Sequence, residues 1–161
     1  MLWGAFIDAA PEFAATVRRR LEAGPYALLG SIRADGHPRI SGVIVTFTER
    51  ELWLGMPSRS LKVADLRREP KMSLHSSVSA SATEEGDAKV TGQAVPIPEG
   101  SAEFDVFVAA WPHEARPGAL ALFRIEVEDA SQVRLAETRD HHVIESWRAG
   151  EQGTRTLRDS P

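Results

Sequence analysis

The sequence predicts a mainly β protein, a closed or nearly closed β-barrel with a few α-helices packed outside it. Runs rich in β-branched and aromatic residues recur at short intervals, turn residues separate them, and only three short segments show helical spacing. The 161 residues are 42% hydrophobic, which is enough for one domain with a substantial core. We therefore expect a single domain over residues 1–161 with a polar C-terminal tail over residues 149–161.

The charge balance limits the class of partner. A net charge of −4 argues against nucleic acid or an anionic membrane surface as the main partner, because both require a broad basic footprint. The absence of cysteine excludes disulfides, thiolate metal sites and a cysteine nucleophile. The N-terminal segment has an apolar start but no basic region, and it reaches an acid at Asp8, so we expect neither a signal peptide nor a membrane span. These features predict a cytoplasmic protein with a small-molecule partner.

Three helices are predicted among the strands. The first covers residues 11–23, where the apolar residues at 13, 14, 17 and 21 share one face and Gly24-Pro25 ends the helix. The second begins at Ser58 or Ser60 and ends at residue 69, and the third covers residues 98–110. Strands are predicted over residues 27–32, 40–47, 51–54, 71–78, 87–96, 119–128, 132–137 and 142–147, with a polar loop at 79–86 and a weak strand signal at 154–157.

The stretch from residue 27 to residue 74 is the most informative part of the chain. Asp35-Gly36 predicts a hairpin turn because Asp-Gly accepts positive φ, and the first three strands are expected to form a meander. Gly42 lies in the middle of the second strand, where glycine costs stability. It indicates either a β-bulge or a place where another group approaches the backbone closely.

Serine and lysine residues at the start of the second helix suggest an anion site. Ser58 and Ser60 are both suitable N-caps, and the helix that they open presents free N–H groups and the positive end of its dipole. Lys62 lies in the first turn, where a cation is unfavourable for the helix unless an anion is nearby. The pattern predicts either a phosphate site formed by Ser60 and Lys62 or a capped helix with a solvated lysine.

Other chemistries have weaker signals. The five histidines are scattered, no metal-ligand spacing occurs, and no Gly-x-Ser-x-Gly elbow is present, so we expect neither a metal site nor a serine hydrolase. His75 follows the second helix, and it either contacts a cofactor or substrate or is an ordinary core or surface residue. Trp53 and Trp111 are expected in the core or in a dimer interface.

The order of these elements resembles the pyridoxamine 5′-phosphate oxidase-like flavin-binding split barrels, which are Greek-key-type antiparallel barrels. The resemblance is best over residues 9–78 and rests on motifs in a fixed order, Asp35-Gly36-x-Pro38, Leu52-Trp53-Leu54 and Ser60-x-Lys62-x-x-x-Leu66-Arg67-x-x-Pro70. Later strands carry weaker support in Leu122-Phe123-Arg124-Ile125 and in residues 143–148. The resemblance implies a homodimer that binds flavin mononucleotide (FMN) at the interface between two barrels.

The resemblance also implies which residues hold the cofactor. The Ser60 and Lys62 side chains would bind its phosphate, and Trp147 would cover it from the other subunit. The strand residues that would face the ring system and ribityl chain, or line the next strand, are Ser41, Gly42, Val43, Ile44, Gly55 and Met56. Ser58, Arg59 and His75 lie close to these positions in the sequence and join the expected site, and Arg59 or Arg39 could replace basic groups that the family has and this chain lacks.

Three departures from the family pattern concern the substrate. True pyridoxamine phosphate oxidases carry basic residues where this chain has Ser41, Thr46 and Leu61, so a vitamin B6 phosphate would have fewer partners here. We therefore expect an FMN-dependent oxidoreductase that exchanges a hydride with another small substrate. The alternatives are an F420-dependent reductase of the same fold and a non-catalytic protein that binds flavin or haem.

Overall fold

Nine antiparallel strands form one sheet in the computed structural model, which describes residues 1–77, 86–111 and 117–159. The strands are β1 (Ala27–Ile32), β2 (Pro38–Val43), β3 (Val45–Phe47), β4 (Leu52–Pro57), β5 (Lys71–His75), β6 (Asp87–Ile97), β7 (Leu120–Leu135), β8 (His142–Arg148) and β9 (Arg155–Asp159). The main path through the sheet is β2-β1-β5-β6-β7-β4-β3, and β8 pairs with both β7 and β9. The mainly β fold class predicted from the sequence is confirmed.

Four helices accompany the sheet in the described ranges. They are α1 (Trp3–Ala9), α2 (Pro11–Leu21), α3 (Leu61–Arg68) and α4 (Ala102–Ala110). Helices α2, α3 and α4 lie within the predicted segments, whereas α1 was not predicted, because its seven residues are too few to show a clear helical period. Among the residues that the structure describes, no helix is long and apolar enough to cross a membrane.

The sheet is open between β2 and β3, although these strands are consecutive in the chain. Only Ile44 separates them, yet β2 pairs with β1 and β3 pairs with β4 at the opposite edge of the sheet. The predicted strand over residues 40–47 is therefore two strands, which pair with β1 and with β4 in the order that the predicted meander requires. The β-branched residues continue without interruption from β2 into β3 because both strands favour such residues. The two strands differ only in their pairing partners, which the local sequence does not reveal.

Strand β7 corrects a second prediction, since it runs without interruption where the sequence indicated two strands. Its pairing with β6 shifts by one residue between Thr91 and Gly92, which is a β-bulge, so the long strand bends without breaking. A Cβ atom at Gly92 would lie 2.0 Å from the carbonyl oxygen of Glu126, so the close approach of the two backbones requires glycine. The predicted polar tail contains β9, which forms an antiparallel pair with β8.

An aromatic cluster connects the N-terminal helices to the sheet. Phe6 packs edge-on against Trp3 and Phe13, and it stacks on Trp147 with ring centroids 4.4 Å apart. Trp3, Phe6 and Trp147 are each at most 1% exposed. Burial of such large side chains stabilises a fold by about 2–3 kcal/mol each, so this cluster holds α1 and α2 firmly on the barrel.

Four parts of the sequence prediction lie outside the described residues. They are residue 78 of the fourth predicted strand, residues 79–85 of the polar loop, His113 with the loop around Pro112, and residues 160–161 of the tail.

Candidate functional site

A cavity of about 430 Å³ lies where the sheet is open. Its walls are the end of β2 with Ile44, the end of β4, and neighbouring residues from α3, from the start of β7 and from the segment before β1. The lining residues are Tyr26, Gly42, Val43, Ile44, Gly55, Met56, Pro57, Lys62, Trp111, Ala119 and Leu120. We call this space the seam cavity. Its volume is in the range of sites that bind small molecules and cofactors.

Six of the twelve predicted site residues meet in the seam cavity. They are Gly42, Val43, Ile44, Gly55, Met56 and Lys62. Gly42 shows no register irregularity in its pairing with β1, so it does not mark a bulge. A Cβ atom there would have no heavy atom nearer than 4.0 Å, and the nearest belong to Tyr26. The structure thus excludes the bulge and leaves this wall of the cavity open, and close approach of another group to Gly42 stays a prediction.

Trp111, the residue that follows α4, lines one side of the seam cavity, and Phe107 of α4 packs behind it. Phe107 is fully buried, and its ring packs against that of Trp111 at a centroid distance of 4.9 Å. A Cβ atom at Gly55 would lie 2.7 Å from Cζ of Phe107 and 3.2 Å from the Trp111 ring. Glycine at this position lets α4 dock directly on β4, and the docking brings Trp111 to the cavity. Trp111 was expected only in the core or in a dimer interface.

The N-terminus of α3 supplies the polar edge of the seam cavity. The N–H groups of Val63 and Ala64 both donate to the carbonyl oxygen of Ser60, so Leu61 and Lys62 are the residues whose N–H groups lack a carbonyl one turn back. The Ser60 Oγ atom makes no capping bond, is inaccessible to solvent and has no hydrogen-bond partner in the described parts of the chain.

Lys62 follows two residues later and lines the seam cavity, whereas Ser60 is not among its lining residues. Lys62 is half-buried, and within the described ranges its ammonium group forms no ion pair. A buried hydroxyl without a partner is unfavourable, and so is a cation in the first turn of a helix, unless an anion completes both. Together these groups favour the anion-site interpretation over a capped helix with a solvated lysine.

Ser58 and Arg59 precede this helix but do not line the seam cavity. The Ser58 hydroxyl donates to the carbonyl oxygen of Gly118 at 2.7 Å, and Ser58 lines a neighbouring cavity of about 320 Å³. Arg59 is exposed to solvent. Ser58 thus fastens the turn before α3 to the segment before β7 and has no proton left for a ligand in the seam cavity.

Ser41 and Arg39 lie on the face of β2 opposite to Gly42 because strand residues alternate. Arg39 Nε donates to Asp65 Oδ2 at 2.6 Å, and its side chain is only 20% exposed. Burial alone would raise the pKa of Asp65, but hydrogen bonds and charge from Arg39 and Arg68 outweigh it and hold the pKa below its usual range. Arg39 is therefore committed to Asp65, and the structure does not bring it to the cavity as a replacement for a missing basic group.

His75 and Trp147 also lie away from the seam cavity. His75 makes a 2.6 Å hydrogen bond through Nδ1 with the carbonyl oxygen of Ser76, and its Nε2 lies 3.4 Å from Asp87. Trp147 is 1% exposed, stacks on Phe6, and donates from Nε1 to the Glu151 carbonyl oxygen. No face of its ring is free to cover a cofactor, so the expectation that it reaches the other subunit's site is corrected.

Sequence reasoning missed five lining residues, Tyr26, Pro57, Trp111, Ala119 and Leu120. Tyr26 could have been found from the sequence, because it is the sole tyrosine of the chain and immediately precedes β1. The partner strand of β1 carries Gly42, a predicted site residue. Pro57 is simply the last residue of β4, Ala119 and Leu120 reach the cavity through pairing of β4 with β7, and Trp111 reaches it through docking of α4.

The pyridoxamine 5′-phosphate oxidase family model matches residues 13–134, well over half of the chain. The chain belongs to the pyridoxamine 5′-phosphate oxidase family. The matched range contains every residue that lines the seam cavity. No curated protein sequence matches the chain.

Several solved structures of very low sequence identity share this fold. A pyridoxamine 5′-phosphate oxidase-related FMN-binding protein from Nostoc punctiforme is 14% identical, with a TM-score of 0.64 over 94% of this chain and 96% of its own. An F420 reductase is 14% identical, with a TM-score of 0.54 over 73% of this chain and 94% of its own. The haem storage protein HutZ from Vibrio cholerae is 16% identical, with a TM-score of 0.58 over 74% and 90%. Family membership and fold are thus established, while the ligand differs among proteins that share the fold.

Proposed function

We propose that this chain binds FMN in the seam cavity and acts as an FMN-dependent oxidoreductase. The observation that carries the proposal is Lys62, a cation without an ion pair in the described residues, on the wall of an apolar cavity, with the inaccessible and unpartnered Ser60 hydroxyl two residues before it in the chain. A planar ring with a phosphate on a short chain has the matching chemistry, since the ring suits apolar walls and the phosphate suits hydroxyl, ammonium and helix N–H donors.

The residues divide into two groups when FMN is bound. Lys62, together with Ser60 and the free N–H groups of α3, would hold the phosphate, and the end of β2, Gly55 and Met56 would provide the wall for the ring system and ribityl chain. The flavin supplies hydride transfer, which none of the side chains lining the cavity can perform. The protein contributes orientation and exclusion of water, and Tyr26 and Lys62 are the titratable groups on the wall.

A second copy of the chain would complete the site in this proposal. Leu28 and Gly42 are cross-strand partners, so Leu28 and Ile40 share the face of the sheet on which the cavity opens. Ile40 is 75% exposed and Tyr26 is 56% exposed beside it. Covering these apolar groups with the same face of another copy supports a homodimer, which sedimentation equilibrium should detect as twice the chain mass.

The substrate is proposed to be small and different from vitamin B6 phosphate. Ser41 and Thr46 replace two basic groups of the true oxidases, and Arg39 is bound to Asp65. A second anionic phosphate would therefore find few cations near the cavity. F420 stays the alternative cofactor, because it offers the same combination of tricyclic ring and phosphate to Lys62. Haem is less favoured, since no histidine of the described residues lines the cavity.

Titration of the purified protein with FMN and with riboflavin, which lacks the phosphate, tests the proposal. Lys62→Ala should weaken FMN binding at least about tenfold, as expected for one charge-assisted hydrogen bond, and should change riboflavin binding little. Lys89→Ala is the matched control, because Lys89 lies 3.7 Å from Asp87 and away from the cavity. Equal FMN affinity in wild type and Lys62→Ala would contradict the phosphate site. Preferential binding of F420, or a Soret band with haem, would replace FMN by that cofactor.

A further inference from the structure

A buried ionic cluster fastens α3 to the sheet directly behind the proposed phosphate site. Its centre is Asp65, whose side chain is only 6% exposed. Asp65 Oδ2 accepts from Arg39 Nε at 2.6 Å and from Ser31 Oγ at 3.4 Å, and Oδ1 accepts from Arg68 Nη1 at 3.4 Å. Arg68 also donates to the carbonyl oxygen of Ile32. One carboxylate thus joins α3 to both β1 and β2.

The cluster and the cavity edge lie on the same short helix. Asp65 comes three residues after Lys62, so the two side chains lie about one helical turn apart. Val63 and Leu66 are the apolar residues of α3 that are buried against the barrel. A helix of eight residues with two apolar anchors has limited stability by itself, so the ionic cluster has a large share in fixing its position.

Asp65 also determines which cations are available to a ligand. Arg39 lies on β2 two residues from Ser41, and Arg68 lies in the last turn of α3. The carboxylate forms ion pairs with both guanidinium groups, whereas Lys62 forms no ion pair within the described ranges. The cluster therefore leaves Lys62 as the cation on the cavity wall and keeps Arg39 on the other face of β2.

We propose that Asp65 is a positioning residue for the phosphate site. By engaging Arg39 and Arg68 it holds the N-terminus of α3, with Ser60 and Lys62, at the edge of the seam cavity and thereby sets the preference for a phosphorylated ligand. This inference rests on the proposed flavin site. In the alternative arrangement, Arg39 is itself a phosphate ligand and Asp65 competes with the phosphate for it. Removal of the Asp65 charge would then increase the preference for FMN over riboflavin, whereas a positioning role predicts a decrease.

The test compares the affinities of wild type and Asp65→Asn for FMN and for riboflavin by quenching of flavin fluorescence. The preference for FMN over riboflavin should fall about tenfold in Asp65→Asn, the factor that corresponds to 1.4 kcal/mol, while riboflavin affinity stays close to that of wild type. The double variant Arg39→Gln/Asp65→Asn removes a buried charge from each partner, so it should fold even if the single variant does not, and it should show the same loss.

Asp8→Asn is the matched control. It breaks the Asp8–Arg50 ion pair at 2.6 Å, which is exposed and does not line the cavity, and it should leave the preference unchanged. An increased preference for FMN in Asp65→Asn, an unchanged preference, or an equal loss of FMN and riboflavin would each overturn the inference and leave the proposed function standing. If wild type itself shows no preference for FMN, both proposals are overturned.

Discussion

Gly55 offers a direct test of how β4 and α4 form a wall of the cavity. Replacing this glycine by alanine places a methyl group 2.7 Å from Cζ and 3.3 Å from Cε1 of Phe107. Phe107 is fully buried, so its ring cannot move aside without displacing neighbouring core residues. The substitution is therefore expected to force either α4 or the strand out of position.

The magnitude follows from comparing Gly55→Ala with Gly42→Ala. Both substitutions reduce the conformational freedom of the unfolded chain, a gain of about 0.4–1 kcal/mol, but only Gly55→Ala adds an overpacking cost of about 1–3 kcal/mol. A methyl group at Gly42 has no neighbour nearer than 4.0 Å. The free energy of unfolding should thus be about 1–3 kcal/mol lower for Gly55→Ala than for Gly42→Ala, or about 2–12 °C in Tm for a chain of this size.

Urea unfolding followed by circular dichroism measures this difference, with an unchanged m value indicating that the unfolding transition itself is the same. The double variant Gly55→Ala/Phe107→Leu identifies the cause, because removal of the ring should relieve the clash and make the two effects non-additive. Equal stability of the two alanine variants, or additive effects in the double variant, would refute the proposed contact between Gly55 and α4.

Three further predictions concern stability. Gly92→Ala should cost at least about 3 kcal/mol, the upper end of overpacking, because its methyl group would meet the backbone of Glu126 at 2.0 Å, and urea unfolding should show a larger loss than for Gly55→Ala. Burial raises the pKa of Glu51, so wild type should lose stability as pH rises from the ordinary glutamate range through the raised value. Glu51→Gln should therefore be more stable than wild type at pH 7 and should lose this advantage at low pH. An equal advantage at every pH would contradict the burial argument. Asp65 has a pKa held below its usual range despite burial. Its contribution to the free energy of unfolding is therefore complete above about pH 4 and is lost as pH falls through its pKa in the folded state. This acid-induced loss of stability should be absent in Asp65→Asn.

The sequence predicted features that depend on neighbouring residues. The Asp35-Gly36 turn, with φ of +82° at Gly36, and the start of α3 after Ser60 follow from local chemistry, and both appear as expected. The break at Ile44 could not be predicted in this way, because the residues on either side have the same strand propensity and differ only in distant pairing partners. The continuity of β7 likewise depends on β6 and β8, which together support its polar residues Asp129 and Ser131.

The candidate site shows the same division between local and distant causes. Ser60 and Lys62 were found because an N-cap and a first-turn cation are visible within three residues. Trp147 was misplaced because its stacking partner Phe6 is near the other end of the sequence. Arg39 was considered for the ligand because its role depends on Asp65, a carboxylate 26 residues away that the helical pattern of α3 does not distinguish from a solvated one.

The position of the seam cavity follows from the open edge of the sheet. If the pairing of β3 with β4 continued through Ile44 into β2, the end of β4 would face a strand and no gap would remain there. Because a single residue spans less than about 4 Å, the sheet curls until its two end strands meet at Ile44. The pairing of β3 with β4 stops at Val45 and Leu54, so the ends of β2 and β4 border a gap. The net charge of −4 gives no general attraction for anions, so the proposed preference for a phosphate would depend on the local donors at the start of α3. Among the described residues Lys62 is the one cation on the wall of this apolar gap, which suits the proposed ligand with one anionic end and a flat apolar end better than a polyanion.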